Sequence, residues 1–158
     1  MPAVEELSEG DPAEVVLENA RRKAAAGSDL AGPEALVLGV DTDVALEGRL
    51  LGKADDEAGA RQRLEALSGR SHQVLSGVWL SGPDGERHGV AETEVRFRDL
   101  DSALIDLYLR SGEWRDRAGA YAIQGLGSIL VAGLQGDFSN VVGLPVALLL
   151  QLAPNLME

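Results

Sequence analysis

Hydrophobic and polar positions change period several times along this chain, and each change marks an element. Ala35 to Val40 is an almost unbroken apolar run, the pattern of a strand shielded from solvent on both faces, and Asp41-Thr42-Asp43 predict its end. Val44 to Leu51 reads as two short strand pieces turned at Glu47-Gly48, which carries the chain back along the first strand. Further on, Val74, Ser76, Val78 and Leu80 share one face of a strand. After the turn residues Ser81 to Gly85, Thr93, Val95 and Phe97 alternate with Glu92, Glu94, Arg96 and Arg98. That pattern predicts a second antiparallel hairpin with one solvated face.

Between these strands the period is helical. Asp11-Pro12-Ala13-Glu14 joins an N-cap acid, a proline at the first helical position and a glutamate three residues after the cap. A helix is predicted from there to Ala26-Gly27, with Arg21, Arg22 and Lys23 in its last turns, where cations complement the helix dipole. Asp55-Asp56-Glu57 open a second helix, with Leu64 and Leu67 inward and Gly69 at its close. Asp101 caps a third, with Leu104, Leu107 and Tyr108 on its inner face. From Arg115 onward glycines recur at 119, 125, 127, 133, 136 and 143, a density that lets backbone approach something closely. Within that stretch GSILVAGL predicts a strand, Gly136 to Asn140 a turn, and Pro145 the start of a last helix bearing Leu148, Leu149 and Leu152. The result is an α/β chain, expected to form a single domain over residues 1–158.

Composition narrows the function classes. Against 26 acids stand 14 bases, a net charge of −12, which argues against binding a nucleic-acid polymer. A small phosphorylated ligand remains compatible, since a few local cations or a divalent metal outweigh the mean field at short range. No cysteine and only two histidines occur, which removes disulfides, thiolate sites and a cysteine nucleophile and makes zinc a poor fit. No apolar run has the length of a membrane span and no signal-peptide pattern opens the sequence, so a cytoplasmic protein is expected.

The common phosphate-loop, dinucleotide, zincin and nucleophile-elbow motifs are missing. Ser68-Gly69-Arg70-Ser71-His72 reads as a structural turn, with His72 no base. What is left is a set of carboxylates (Glu6, Asp41, Asp43), cations (Lys23, Lys53, Arg117) and an amide, Gln124, that reads as buried. An acid at the end of a core strand must be paired, hydrogen-bonded or metal-bound, and the hairpin brings Lys53 back toward Asp41. The same spacing also suits a hairpin whose acids face water and whose lysine is a solvated tip. Taken as a set, these groups suit metal-assisted phosphoryl chemistry, with carboxylates for Mg2+ and a water, cations for phosphate oxygens and an amide for a base edge.

The ordered segments VLGVDTDVALEGRLLGK, LSGRSH, TEVRF, DRAGAYAIQG and GDFSNVVGLP resemble the Maf proteins, which hydrolyse nucleoside triphosphates to the monophosphate and pyrophosphate. The resemblance covers the chain from about Glu5 and implies a three-layer, mixed β-sheet with helices on both sides (Maf/ITPase-like), a homodimer, and a divalent cation, Mg2+ or Mn2+. It implies that Asp41 is the proton acceptor, that Glu6, in a V-x-E segment, shares the metal with Asp41, and that Lys23 and Lys53 contact the triphosphate. Thr42 and Gln124 fall at positions linked with base choice, and the IQG form is similar to the branch acting on dTTP and UTP. Arg117 stands where the family more often has lysine, and Ala54 where it has proline. The family's N-terminal strand and Ser-x-Ser-x-Arg-Arg phosphate loop have no counterpart in residues 1–158, which predicts an N-terminally truncated form of the fold. The alternative that this difference leaves open is a non-catalytic nucleotide-binding or interaction module.

Overall fold

The structure, a computed structural model, describes residues 3–157. Helix α1 spans Pro12–Ala31, strand β1 Val37–Leu46, β2 Arg49–Leu50, α2 Glu57–Leu67, β3 Ser71–Gly82 and β4 Gly85–Phe97. There follow α3 Ser102–Ser111, a 3-10 helix Gly125–Leu130, β5 Val131–Gln135, α4 Phe138–Val142 and α5 Val146–Leu152. The five strands form one sheet in the order β2-β1-β3-β4-β5. Every pairing in it is antiparallel, where the family resemblance implied a mixed sheet. The α/β class and the three layers are as expected: α1 covers one face of the sheet, and the other four helices cover the opposite one. Among the described residues no helix is long and apolar enough to cross a membrane.

Caps and turns form where the sequence predicts them. Asp11 accepts the Ala13 and Glu14 amides, Asp56 the Gly59 amide and Asp101 the Leu104 amide, each satisfying helix N–H groups that have no partner inside the helix. Glu47 and Gly48 both adopt positive φ, 51° and 77°, the backbone that a two-residue hairpin between β1 and β2 requires.

Several boundaries differ, each for a physical reason. Strand β1 does not stop at the acids but runs through them, because Asp41 is hydrogen-bonded by α1 and Asp43 accepts the Val44 amide at 2.7 Å and the Gly52 amide at 3.3 Å. Its apolar start is not shielded on both faces either, since Leu36 and Leu38 are exposed. Helix α1 continues past Gly27, which is small there because a side chain would collide with Val37. Arg21, Arg22 and Lys23 therefore lie in mid-helix. Arg21 and Arg22 pair with Glu18, and Lys23 turns toward β1. Tyr108 and Leu104 face the core as expected, but Leu107 is exposed, and Ile105 and Leu109 complete the inner face of α3. GSILVAGL divides into the 3-10 helix and β5, and the predicted turn at Gly136 to Asn140 is mostly α4.

Helix α1 lies unusually close to the sheet. Gly39 of β1 faces Ala20 and Ala24, Gly77 of β3 faces Val16 and Leu17, and a methyl on either glycine would overlap helix backbone. Gly39→Ala is expected to cost about 1–3 kcal/mol, the usual range for overpacking a tight contact. Urea unfolding of the two proteins at one pH measures it.

Candidate active site

The close approach of α1 puts two of its side chains against one acid. Asp41 is 8 % exposed, with Lys23 Nζ 2.6 Å from Oδ1 and Asn19 Nδ2 3.0 Å from Oδ2. Lys23 Nζ also lies 2.7 Å from Glu6 Oε1, so one ammonium joins the two carboxylates. Burial opposes the Lys23 charge, but its hydrogen bonds to Asp41 and Glu6 outweigh that cost and hold its pKa above the ordinary lysine value. The pKa of Asp43, two residues along β1, is raised as well, which in a carboxylate disfavours the charged form. Burial raises its pKa, the Val44 amide opposes the shift, and the Asp41 charge adds to it.

Alternation along β1 sends Thr42 to the opposite face, where its hydroxyl meets that of Ser76 at 2.7 Å and reaches the Gly143 carbonyl at 3.4 Å. Lys53 follows the hairpin on a loop held by one guanidinium. Arg63 donates to the carbonyls of Leu51, Gly52, Gly59 and Lys53 at 2.8–3.2 Å. Backbone bridging of Lys53 with Ala118, and a bond from the Gly119 amide to the Gly52 carbonyl, bring the Arg117 segment alongside. Among the described residues neither Lys53 nor Arg117 forms a salt bridge. Gln124 is exposed rather than buried, because it stands just before the 3-10 helix, whose inward position is Gly127. Glu113 fixes that turn by accepting the Leu126 and Gly127 amides at 3.0 and 3.1 Å.

A pocket of about 650 Å³ is lined by Glu6, Lys23, Asp41, Thr42, Asp43, Lys53, Arg117 and Gln124, so the residues singled out from the sequence meet at one cavity. Three contributors were missed. Asn19 carries a readable signal, being a polar residue on the apolar stripe of α1 beside Val16 and Ala20. Arg63 and Glu113 carry none, since both serve main-chain groups distant in sequence. His72, read from the sequence as part of a turn, lies within a strand instead. It is fully buried in β3, its Nε2 lies 2.7 Å from the Tyr121 hydroxyl, and the rings of Phe97 and Tyr121 meet it edge-on. Tyr121 in turn lines the pocket.

Asp41 and Glu6 suit a hard divalent cation by donor chemistry, because Mg2+ is commonly held by one or two carboxylates together with substrate phosphates. Among the described residues no cluster of three or more acidic or histidine side chains is placed to hold a metal ion without such help.

Fold and pocket define an α/β protein with one pocket that joins a buried carboxylate, Asp41, an exposed one, Glu6, and the exposed cations Lys53 and Arg117. A family model described as "Maf-like protein" matches residues 1–156, and the chain belongs to this family. It is 45% identical over 150 residues to a dTTP/UTP pyrophosphatase of Thermococcus kodakarensis, across 95% of this chain and 80% of that protein. A protein of the same name from Deinococcus radiodurans is 46% identical over 148 residues, covering 94% of this chain and 75% of its own length. The corresponding figures for one from Pyrococcus furiosus are 41% over 150 residues, 94% and 77%. The non-catalytic alternative gains no support from these relatives.

The buried histidine generates a pH prediction. Burial lowers the His72 pKa to about 4, so the folded chain keeps it neutral while the unfolded chain takes up a proton near pH 6.5. Stability is fully present above about pH 6.5 and falls as the pH drops toward 4, by about 3 kcal/mol in all. Urea midpoints measured between pH 7 and 4.5 are expected to show this slope in the wild type and to lose it in His72→Gln.

Proposed function

We propose that this chain is a cytoplasmic nucleoside triphosphate pyrophosphatase acting on dTTP, UTP or modified pyrimidine triphosphates. The observation that carries the reading is the Lys23 ammonium on both Asp41 and Glu6, in a pocket whose rim carries Lys53 and Arg117. Relatives across most of the chain are named for pyrophosphate release from dTTP and UTP. In this reading a water attacks the α-phosphorus, the α–β anhydride bond breaks, and nucleoside monophosphate and pyrophosphate leave. Asp41 accepts the proton of that water. Each of its oxygens takes one hydrogen bond from protein, which leaves lone pairs free for the water. Lys23 and Lys53 stabilise the charge that develops on the phosphates, and Arg117 orients them with a planar fork in place of a point charge. Thr42 and Gln124 face the base.

Asp41 and Glu6 would hold a divalent cation, Mg2+ or Mn2+. When bound it neutralises phosphate oxygens and polarises the attacking water. We also infer a homodimer from the family resemblance, which light scattering tests.

Pyrophosphate release from a panel of nucleoside triphosphates with Mg2+ or Mn2+ tests the function. Turnover is expected with dTTP and UTP above the purine nucleotides, and loss of about 100-fold or more in kcat for Asp41→Asn, the scale of general-base catalysis. A panel in which no triphosphate is turned over above the Asp41→Asn background overturns the reading. Lys53→Met is expected to raise KM and lower kcat together, because that cation meets the phosphates before and during cleavage.

A further inference from the structure

We propose that Asn19 is a positioning residue for the carboxylate pair: its amide aims Asp41 and fastens the Glu6 segment beside it. The inference rests on the hydrolase reading above and adds a residue which that reading does not need by name. Asn19 is 2 % exposed and sits on the face of α1 that meets the sheet. Every function of its side chain is engaged. Oδ1 accepts the Leu7 amide at 2.7 Å, and Nδ2 donates to the Leu7 carbonyl at 3.0 Å and to Asp41 Oδ2 at 3.0 Å.

The two bonds to Leu7 copy what a neighbouring strand would give. Residues 3–8 belong to no helix or strand, and Leu7 thereby obtains both of its main-chain hydrogen bonds from one side chain. Glu6 is the adjacent residue, and Lys23 lies four residues after Asn19, on the same side of α1. One helical turn therefore carries both groups that organise the acids. Lys23 bridges their charges, and Asn19 fixes their geometry. A single ammonium on a flexible stem leaves a carboxylate free to rotate, whereas a second donor on the other oxygen sets its plane. An apolar residue here would pack against Val16 and Ala20, yet would strand Asp41 Oδ2 and both Leu7 groups without partners.

Three variants of the full chain test this: Asn19→Leu, of similar size with no polar atoms; Asn19→Asp, which keeps the acceptor for Leu7 and loses the donors; and the exchange Asn19→Asp with Asp41→Asn. With dTTP and Mg2+, both single variants are expected to lower kcat per folded molecule by about 10–100-fold, the usual effect of removing a group that orients a metal-binding carboxylate. KM for dTTP should stay within about threefold, because the rim residues are untouched. A merely structural role would reduce the folded fraction and leave kcat per folded molecule within twofold of wild type, roughly the precision of such a comparison. That result overturns the proposal.

Two readouts do not depend on turnover. The Leu7 amide should be protected from hydrogen exchange in the wild type and exchange at the rate of a free peptide in Asn19→Leu; equal rates in the two overturn the clasp. Asn19→Asp should lower Tm by facing one carboxylate with another, and adding Asp41→Asn should restore most of that loss, since the amide–carboxylate pair is re-formed with its ends exchanged. Additive losses overturn the Asn19–Asp41 bond. A wild-type chain that hydrolyses no triphosphate overturns the hydrolase reading instead, and Leu7 exchange and the Tm cycle then still decide whether Asn19 orders these two acids.

Discussion

The site depends on how near α1 lies to the sheet. Hydrogen bonds have a narrow working range, and Asn19 is a short side chain, so its bond to Asp41 exists only while helix and strand stay in close contact. Gly39 and Gly77 permit that contact by removing the side chains that would hold α1 away from β1 and β3. Two positions with no side chain thus determine the surroundings of the most buried acid in the pocket. Burying Asp41 is tolerable because its oxygens receive donors from α1, and those donors are in reach because the strand beneath them has room.

Electrostatics follows from the same arrangement. A chain of net charge −12 repels anions at long range, and several of its arginines are engaged by its own acids: Arg21 and Arg22 by Glu18, Arg61 by Asp106, Arg70 by Glu47. Lys53 and Arg117, with no such partner among the described residues, stand at the pocket rim. Arg49, Arg96, Arg98, Arg110 and Arg115 are likewise exposed without a salt bridge among the described residues, so what sets Lys53 and Arg117 apart is their place in the pocket lining.

Much of this was legible from one sequence, because the governing interactions are local. Capping acids at 11, 56 and 101 act within three residues, the hairpin at Glu47-Gly48 is a dipeptide signal, and alternation along β3 and β4 reports burial directly. The ends of β1 and α1 were not legible. Acids normally close a strand and glycine normally closes a helix, and here each serves a contact with the other element. The site divides in the same way. Its charged and amide lining residues could be picked out by chemistry and by family resemblance, whereas Gln124, read as buried, lies exposed because Glu113 sets the turn behind it from outside the motif. Asn19 and Arg63 act on backbone remote in sequence, and no local pattern announces such a partner.

Arg63 shows where that leads. A single guanidinium, itself outside the pocket lining, holds three carbonyls of the loop that presents Lys53, those of Leu51, Gly52 and Lys53 itself. The path of the Lys53 backbone is therefore encoded 10 to 12 residues downstream, in α2. A change at position 63 can therefore shift the Lys53 segment while every lining residue stays intact, and a comparison of lining residues alone would not register it.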